Sequence, residues 1–144
     1  MTNKLQIAAV AATLAISGLF YKEGMPLVEY QATCSKLQAA HTLLIGSVDS
    51  RMAFIDAESY RTPEQAAFNK KHGSGIANSL HTLRLAHDKI LTINGKVTWK
   101  SEDYLQAGVL WEELGKQYNV PTAWGGRFKS VDAVHFSCPY KGIK

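Results

Sequence analysis

Asn78-Ser79-Leu80-His81-Thr82-Leu83-Arg84-Leu85-Ala86-His87-Asp88-Lys89-Ile90-Leu91-Thr92-Ile93-Asn94-Gly95-Lys96-Val97-Thr98-Trp99-Lys100 decides how this chain folds. Residues 85–93 are apolar enough for a strand. Asn94-Gly95 is a strong type I′ turn signal, because both central residues of that turn need positive φ. Residues 96–100 then read as the return strand. The expected unit is an antiparallel hairpin over 85–100, with two histidines and an aspartate at its start.

Upstream, residues 72–78 form a loop into this stretch. Before it, Thr62 is a good N-cap, Pro63 suits the first helical position and Gln65 completes a capping box. A helix is predicted over 63–71. Arg61 falls in the turn before it, where a guanidinium can hold a carboxylate or carbonyl; a plain surface arginine is the competing reading. Met52-Ala53-Phe54-Ile55 reads as a strand, and Leu37, Ala40, Leu43 and Leu44 recur at helical spacing over 30–46. His41 lies on that helix and reads as a packing or surface histidine.

Downstream, Ser101-Glu102-Asp103 opens a helix to about Tyr118, and Val120-Pro121 stops it. Trp124-Gly125-Gly126-Arg127-Phe128 is a glycine-rich turn, and residues 134–137 form a last short strand. Strands and helices are segregated, so the expected fold class is α+β. We expect a small single domain with a short antiparallel sheet flanked by helices, plus an N-terminal apolar helix.

Composition agrees with one folded domain: 144 residues, 46% hydrophobic and 19% charged. The net charge of +4 is modest and its basic residues are scattered. Nucleic acid is therefore not expected as a partner, whereas an anionic cell wall or membrane surface is compatible. Cys34 and Cys138 are far apart. They pair in an oxidising compartment or sit as two buried thiols, and spacing does not choose.

Residues 5–21, LQIAAVAATLAISGLFY, carry no charge. As a helix they would span roughly 25 Å, just short of a bilayer core of about 30 Å. A cleaved export signal, an uncleaved weak anchor and a buried Ala-rich helix compete here. The organisation expected is a signal-anchor or signal-arrest-release-like segment over 1–22 and one folded domain over 23–144, which carries the candidate site residues. That segment implies export or association with an inner membrane, hence a location at the inner membrane or periplasm, with cytoplasm as the setting if it is not an export signal.

His81, Asp88 and His135 are two imidazoles and a carboxylate, the protein ligand number of a catalytic zinc with one position left open. In a strand, neighbouring side chains point to opposite faces. Asp88 is therefore put on the site face and His87 is turned outward. Asp132, three residues before His135, is close enough to act as general base and then acid. There is no HExxH, and spacing alone leaves other triplets open.

Four blocks in order sharpen this: Tyr60-Arg61-Thr62-Pro63-Glu64-Gln65, then Ser79-x-His81 with Leu85-Ala86-x-Asp88, then Trp124-Gly125-Gly126-Arg127-Phe128, then Asp132-x-x-His135-Phe136. Together they resemble the LAS zinc metallopeptidases, the D-alanyl-D-alanine carboxypeptidase and L-alanyl-D-glutamate endopeptidase (VanY-type) family, and particularly its phage endolysin branch. The resemblance covers residues 58–137. It implies zinc (Zn2+) held by His81, Asp88 and His135, Asp132 as catalytic acid/base, Arg61 steadying substrate and oxyanion, and Ser79 lining the substrate cleft. It gives the Trp124 turn a structural job.

The implied substrate is the peptide stem of peptidoglycan, cut by a monomeric enzyme at L-Ala–D-Glu. The alternatives are a carboxypeptidase at terminal D-Ala and a non-catalytic wall-binding module. Arg84 departs from a pattern that has glycine there, and His87 from one that is apolar.

Overall fold

The computed structural model describes residues 3–13 and 16–144. The elements are α1 (Lys4–Ala12), α2 (Leu27–Val48), β1 (Met52–Glu58), α3 (Pro63–Lys71), β2 (Ala86–Ile93), β3 (Lys96–Val97), α4 (Leu105–Tyr118), β4 (Ala123–Trp124) and β5 (His135–Ser137). The strands form one antiparallel sheet in the order β1-β2-β5-β4, with β3 also paired to β2. The result is a single α+β domain with a short sheet, as its segregated elements predict.

The hairpin forms around Asn94 and Gly95, which have φ of 52° and 74°. Its return strand is shorter than expected and ends at Val97. The cause is Tyr104, which is fully buried. Its hydroxyl accepts the Leu91 N–H at 2.9 Å and donates to Thr98 O at 3.1 Å, finishing the ladder with a side chain where backbone would otherwise continue. Helix α3 has the predicted bounds, with the Thr62 hydroxyl accepting from Gln65 N.

One face of the sheet is packed by α2 and α4. Phe54, Phe136, Trp111 and His41 meet there, with His41–Phe136 ring centroids 4.6 Å apart. Leu37, Ala40 and Leu44 are buried in α2 as the periodicity requires, whereas Leu43 faces solvent. Lys89 also points into this core and is fully buried. Its Nζ donates to Gln38 O at 3.0 Å and lies 3.1 Å from His41 Nδ1. Since His41 Nε2 bonds Ala107 O at 2.8 Å, Nε2 carries the proton and Nδ1 accepts from Lys89. Burial pushes the Lys89 amine down to about 7, against the pull of Asp56.

The N-terminal segment corrects an expectation. Residues 5–21 are not one continuous apolar helix. α1 is nine residues long and lies against α4 and α2, with Ile7 and Ala11 buried. After it, Ile16 N bonds the Tyr118 hydroxyl and Thr33 Oγ1 bonds Phe20 O. Among the described residues no helix is long and apolar enough to cross a membrane. The apolar side chains Ile7 and Ala11 are used inside the domain, so the segment's burial and helix length give no support to membrane tethering. Leu14 and Ala15 lie outside the described residues.

Cys34 and Cys138 form a disulfide, Cα to Cα 6.2 Å, joining α2 to the chain just after β5. The open question of their pairing is thereby answered.

Candidate metal centre and active site

Three separate elements bring the candidate ligands together. His81 sits in a 3-10 turn, Leu80–Leu83, whose N-cap is Ser79. Asp88 stands in β2, and His135 lies directly across from it in β5. In an antiparallel pair, residues directly opposite share a face, so Asp88 and His135 project together from the side of the sheet away from α2.

Asp88 Oδ1 lies 3.3 Å from His81 Nε2 and 3.5 Å from His135 Nδ1. The two rings are 5.3 Å apart and nearly perpendicular. One donor atom from each of the three residues falls within 4.8 Å of the others. Asp88 Oδ1 is buried and makes no hydrogen bond within the protein, as are His81 Nδ1 and His135 Nε2. A buried carboxylate oxygen without a partner is costly unless something else satisfies it. An orphaned carboxylate oxygen facing two imidazole nitrogens is a donor set that suits a divalent metal ion, zinc included.

Asp88 is only partly exposed. Burial opposes its charge, but His135 and His81 outweigh this and hold its carboxyl well below the usual range. Asp132 is shifted the other way. Desolvation and the neighbouring Asp88 carboxylate push it up, against the pull of His135, His81 and Arg61. The two carboxyls thus have opposite tendencies, one a fixed anion and one suited to proton exchange.

Arg61 is within electrostatic reach of Asp88 and Asp132, and its backbone N–H bonds His81 O at 3.1 Å. Ser79 is buried. Its hydroxyl accepts the His81 N–H at 3.2 Å, which fixes the turn that carries this candidate ligand. The expected group of His81, Asp88, His135, Asp132 and Arg61 is therefore brought to one place.

His87 does point away from the site, but not into solvent. It is half-buried against α2, beside Gln38, Thr42 and Asp56. Burial and Lys89 push it down to about 4, with Asp56 opposing. The Trp124 turn is structural in a specific way. A Cβ on Gly126 would fall 2.1 Å from the Trp124 ring, and one on Gly108 2.2 Å from it. The indole thus packs between two glycines, and its N–H donates to Ala133 O at 2.8 Å, next to Asp132.

Glu58 escaped the reading of the sequence. Its carboxylate accepts from Arg61 Nε at 3.0 Å and from Nη2. An acid three residues before Arg61 was the available signal, but such spacing is common on surfaces.

No protein-family model matches the chain, and no curated protein matches it by sequence. A solved structure does match: the crystal structure of Serratia marcescens L-Ala D-Glu endopeptidase ChiX. It has a TM-score of 0.61 and 21% sequence identity, covering 77% of this chain and 79% of that one. At that identity the likeness is one of fold.

Proposed function

We propose that this protein is a zinc-dependent peptidase that hydrolyses an amide bond in the peptide stems of peptidoglycan, at L-Ala–D-Glu. The observation that carries the reading is the convergence of His81 and His135 on the buried, otherwise unpartnered Oδ1 of Asp88. The activity named for the ChiX structure supports the choice of substrate and bond.

A zinc ion held by these three residues supplies Lewis-acid activation of water and of the amide carbonyl. Asp132, pushed up from the usual carboxylate range, takes the proton of the attacking water and returns it to the leaving amine. Arg61 presents its guanidinium to the charge that develops on the carbonyl oxygen. Arg61 and Ser79 are assigned substrate contact, Ser79 from the N-cap position of the His81 turn. The Cys34–Cys138 bridge supports work in an oxidising compartment such as the periplasm, in keeping with an endolysin-like role.

The test joins metal analysis to mass spectrometry of digested cell walls. The wild type should hold about one zinc per chain and release stem peptides with new N-terminal D-Glu. His81→Ala and His135→Ala should lose the metal. Asp132→Asn should keep the metal and lose release. Loss of terminal D-Ala alone would make the enzyme a carboxypeptidase. Wall binding without cleavage under any divalent metal would make it a binding module and end the peptidase reading.

A further inference from the structure

Strand alternation puts Met52, Phe54 and Asp56 on the α2 side of the sheet, and by the same count Glu58 would follow them. It does not. Asp56 pairs with Lys89 while Glu58 pairs with Asp88, so two steps on β1 answer one step on β2. This bulge re-aims Glu58 to the face that carries Asp88. There the carboxylate meets Arg61 through Nε and Nη2, the two-point geometry of a guanidinium–carboxylate fork.

We infer that Glu58 is a positioning residue for Arg61, an inference that rests on the peptidase reading above. A guanidinium has five N–H groups. The fork takes two and leaves three, the pair on Nη1 and one on Nη2. Arg61 is then held at both ends, its backbone by His81 O and its head by Glu58. A long side chain fixed in this way loses little freedom when charge develops beside it, which is how preorganised donors lower a barrier. The side chain of Arg61 is 14% exposed and that of Glu58 33%, so the pair is partly screened from water. The loop that follows α3 confines the remaining side: a Cβ on Gly75 would lie 3.5 Å from Nη1.

The experiment compares wild type, Glu58→Ala, Glu58→Gln, Arg61→Lys and the double variant Glu58→Ala/Arg61→Lys on a stem peptide. Glu58→Ala should lower kcat about tenfold with KM changed less than about threefold, the pattern of an interaction used in the transition state. Metal content should stay at the wild-type level. In the Arg61→Lys background the same change should have almost no further effect, because the fork is already gone. A metal-free readout is the Arg61 Nε–H resonance, assigned by its loss in Arg61→Lys. It should be slow to exchange in the wild type and weaken in Glu58→Ala, with Glu58→Gln between.

An unchanged kcat in Glu58→Ala, or an equal loss in both backgrounds, overturns the positioning role alone. A wild type that releases no peptide overturns the peptidase reading, and the role in catalysis with it.

Discussion

Asp132 donates its backbone N–H to Gly125 O at 2.9 Å, and a Cβ on Gly125 would fall 2.0 Å from Asp132 O. The same hypothetical Cβ would sit 2.9 Å from the Cβ of His135. The Asp132 carbonyl also accepts the His135 N–H at 3.1 Å. One glycine therefore sets the approach of both the proposed base and a candidate ligand.

From this we expect Gly125→Ala to damage the site without touching a functional side chain. The contact is with backbone, which cannot rotate aside, so overpacking should cost about 1–3 kcal/mol or more. Thermal melting should show the loss, and hydrolysis should fall by at least about tenfold as the 132–135 segment is pushed away. A variant with wild-type melting and turnover would show that the segment can relax freely.

The disulfide gives a second expectation. It closes a sequence separation of 104 residues and anchors the chain three residues after His135. Losing such a bridge costs about 2–5 kcal/mol. For a chain of this size that is a drop of roughly 5–20 °C in Tm. Wild type should show this shift on adding reductant. Cys34→Ala/Cys138→Ala should show it without reductant, and should not respond further.

Acid should act through Asp49, which ends α2. Its carboxylate accepts from Arg51 N at 2.9 Å, Nε at 3.0 Å and Nη2 at 2.6 Å. Hydrogen bonds from the Arg51 side chain and then its backbone lower its pKa from 3.8 to about 2. A folded-state value below the unfolded one gives stability that is complete above the unfolded pKa and lost as pH falls through the folded one. The urea midpoint of wild type should thus exceed that of Asp49→Asn near neutrality, with the gap closing between about pH 4 and about pH 2. A gap independent of pH would mean that the charge on Asp49 is irrelevant.

Arg84 concerns backbone geometry. It has φ of 56°, the left-handed region that glycine enters freely, and its guanidinium stacks 3.9 Å from the Tyr60 ring centroid. The conformation costs a non-glycine residue about 1–2 kcal/mol. The stack returns about 0.5–1 kcal/mol, and glycine itself would add unfolded-chain entropy worth about 0.5–1 kcal/mol. These nearly cancel. Arg84→Gly should melt within about 4 °C of wild type and keep turnover within about twofold. A large loss of turnover with unchanged melting would assign Arg84 to the substrate.

Several features were written locally. Thr62, accepting the Gln65 N–H, and Pro63 at the first position fix the start of α3, although the Gln65 side chain turns to Asn69 Oδ1 and leaves the expected capping box half made; Asn94-Gly95 fixes the turn through φ alone. Strand alternation sorted Asp88 from His87, because that period is a property of the backbone. The grouping of His81, Asp88 and His135 was legible only through the order of the four blocks that resemble a known family, because spacing alone leaves other triplets open.

What the tertiary structure decided involves partners far apart in the chain or a break in periodicity. The bulge that turns Glu58 toward Arg61 breaks the alternation a reader relies on. The 104-residue span of the disulfide, the burial of Lys89 against His41, and the packing of Ile7 and Ala11 against the domain all depend on which surfaces meet. An apolar run has the same composition whether it faces lipid or a helix of its own domain. Only the neighbour that covers it distinguishes the two.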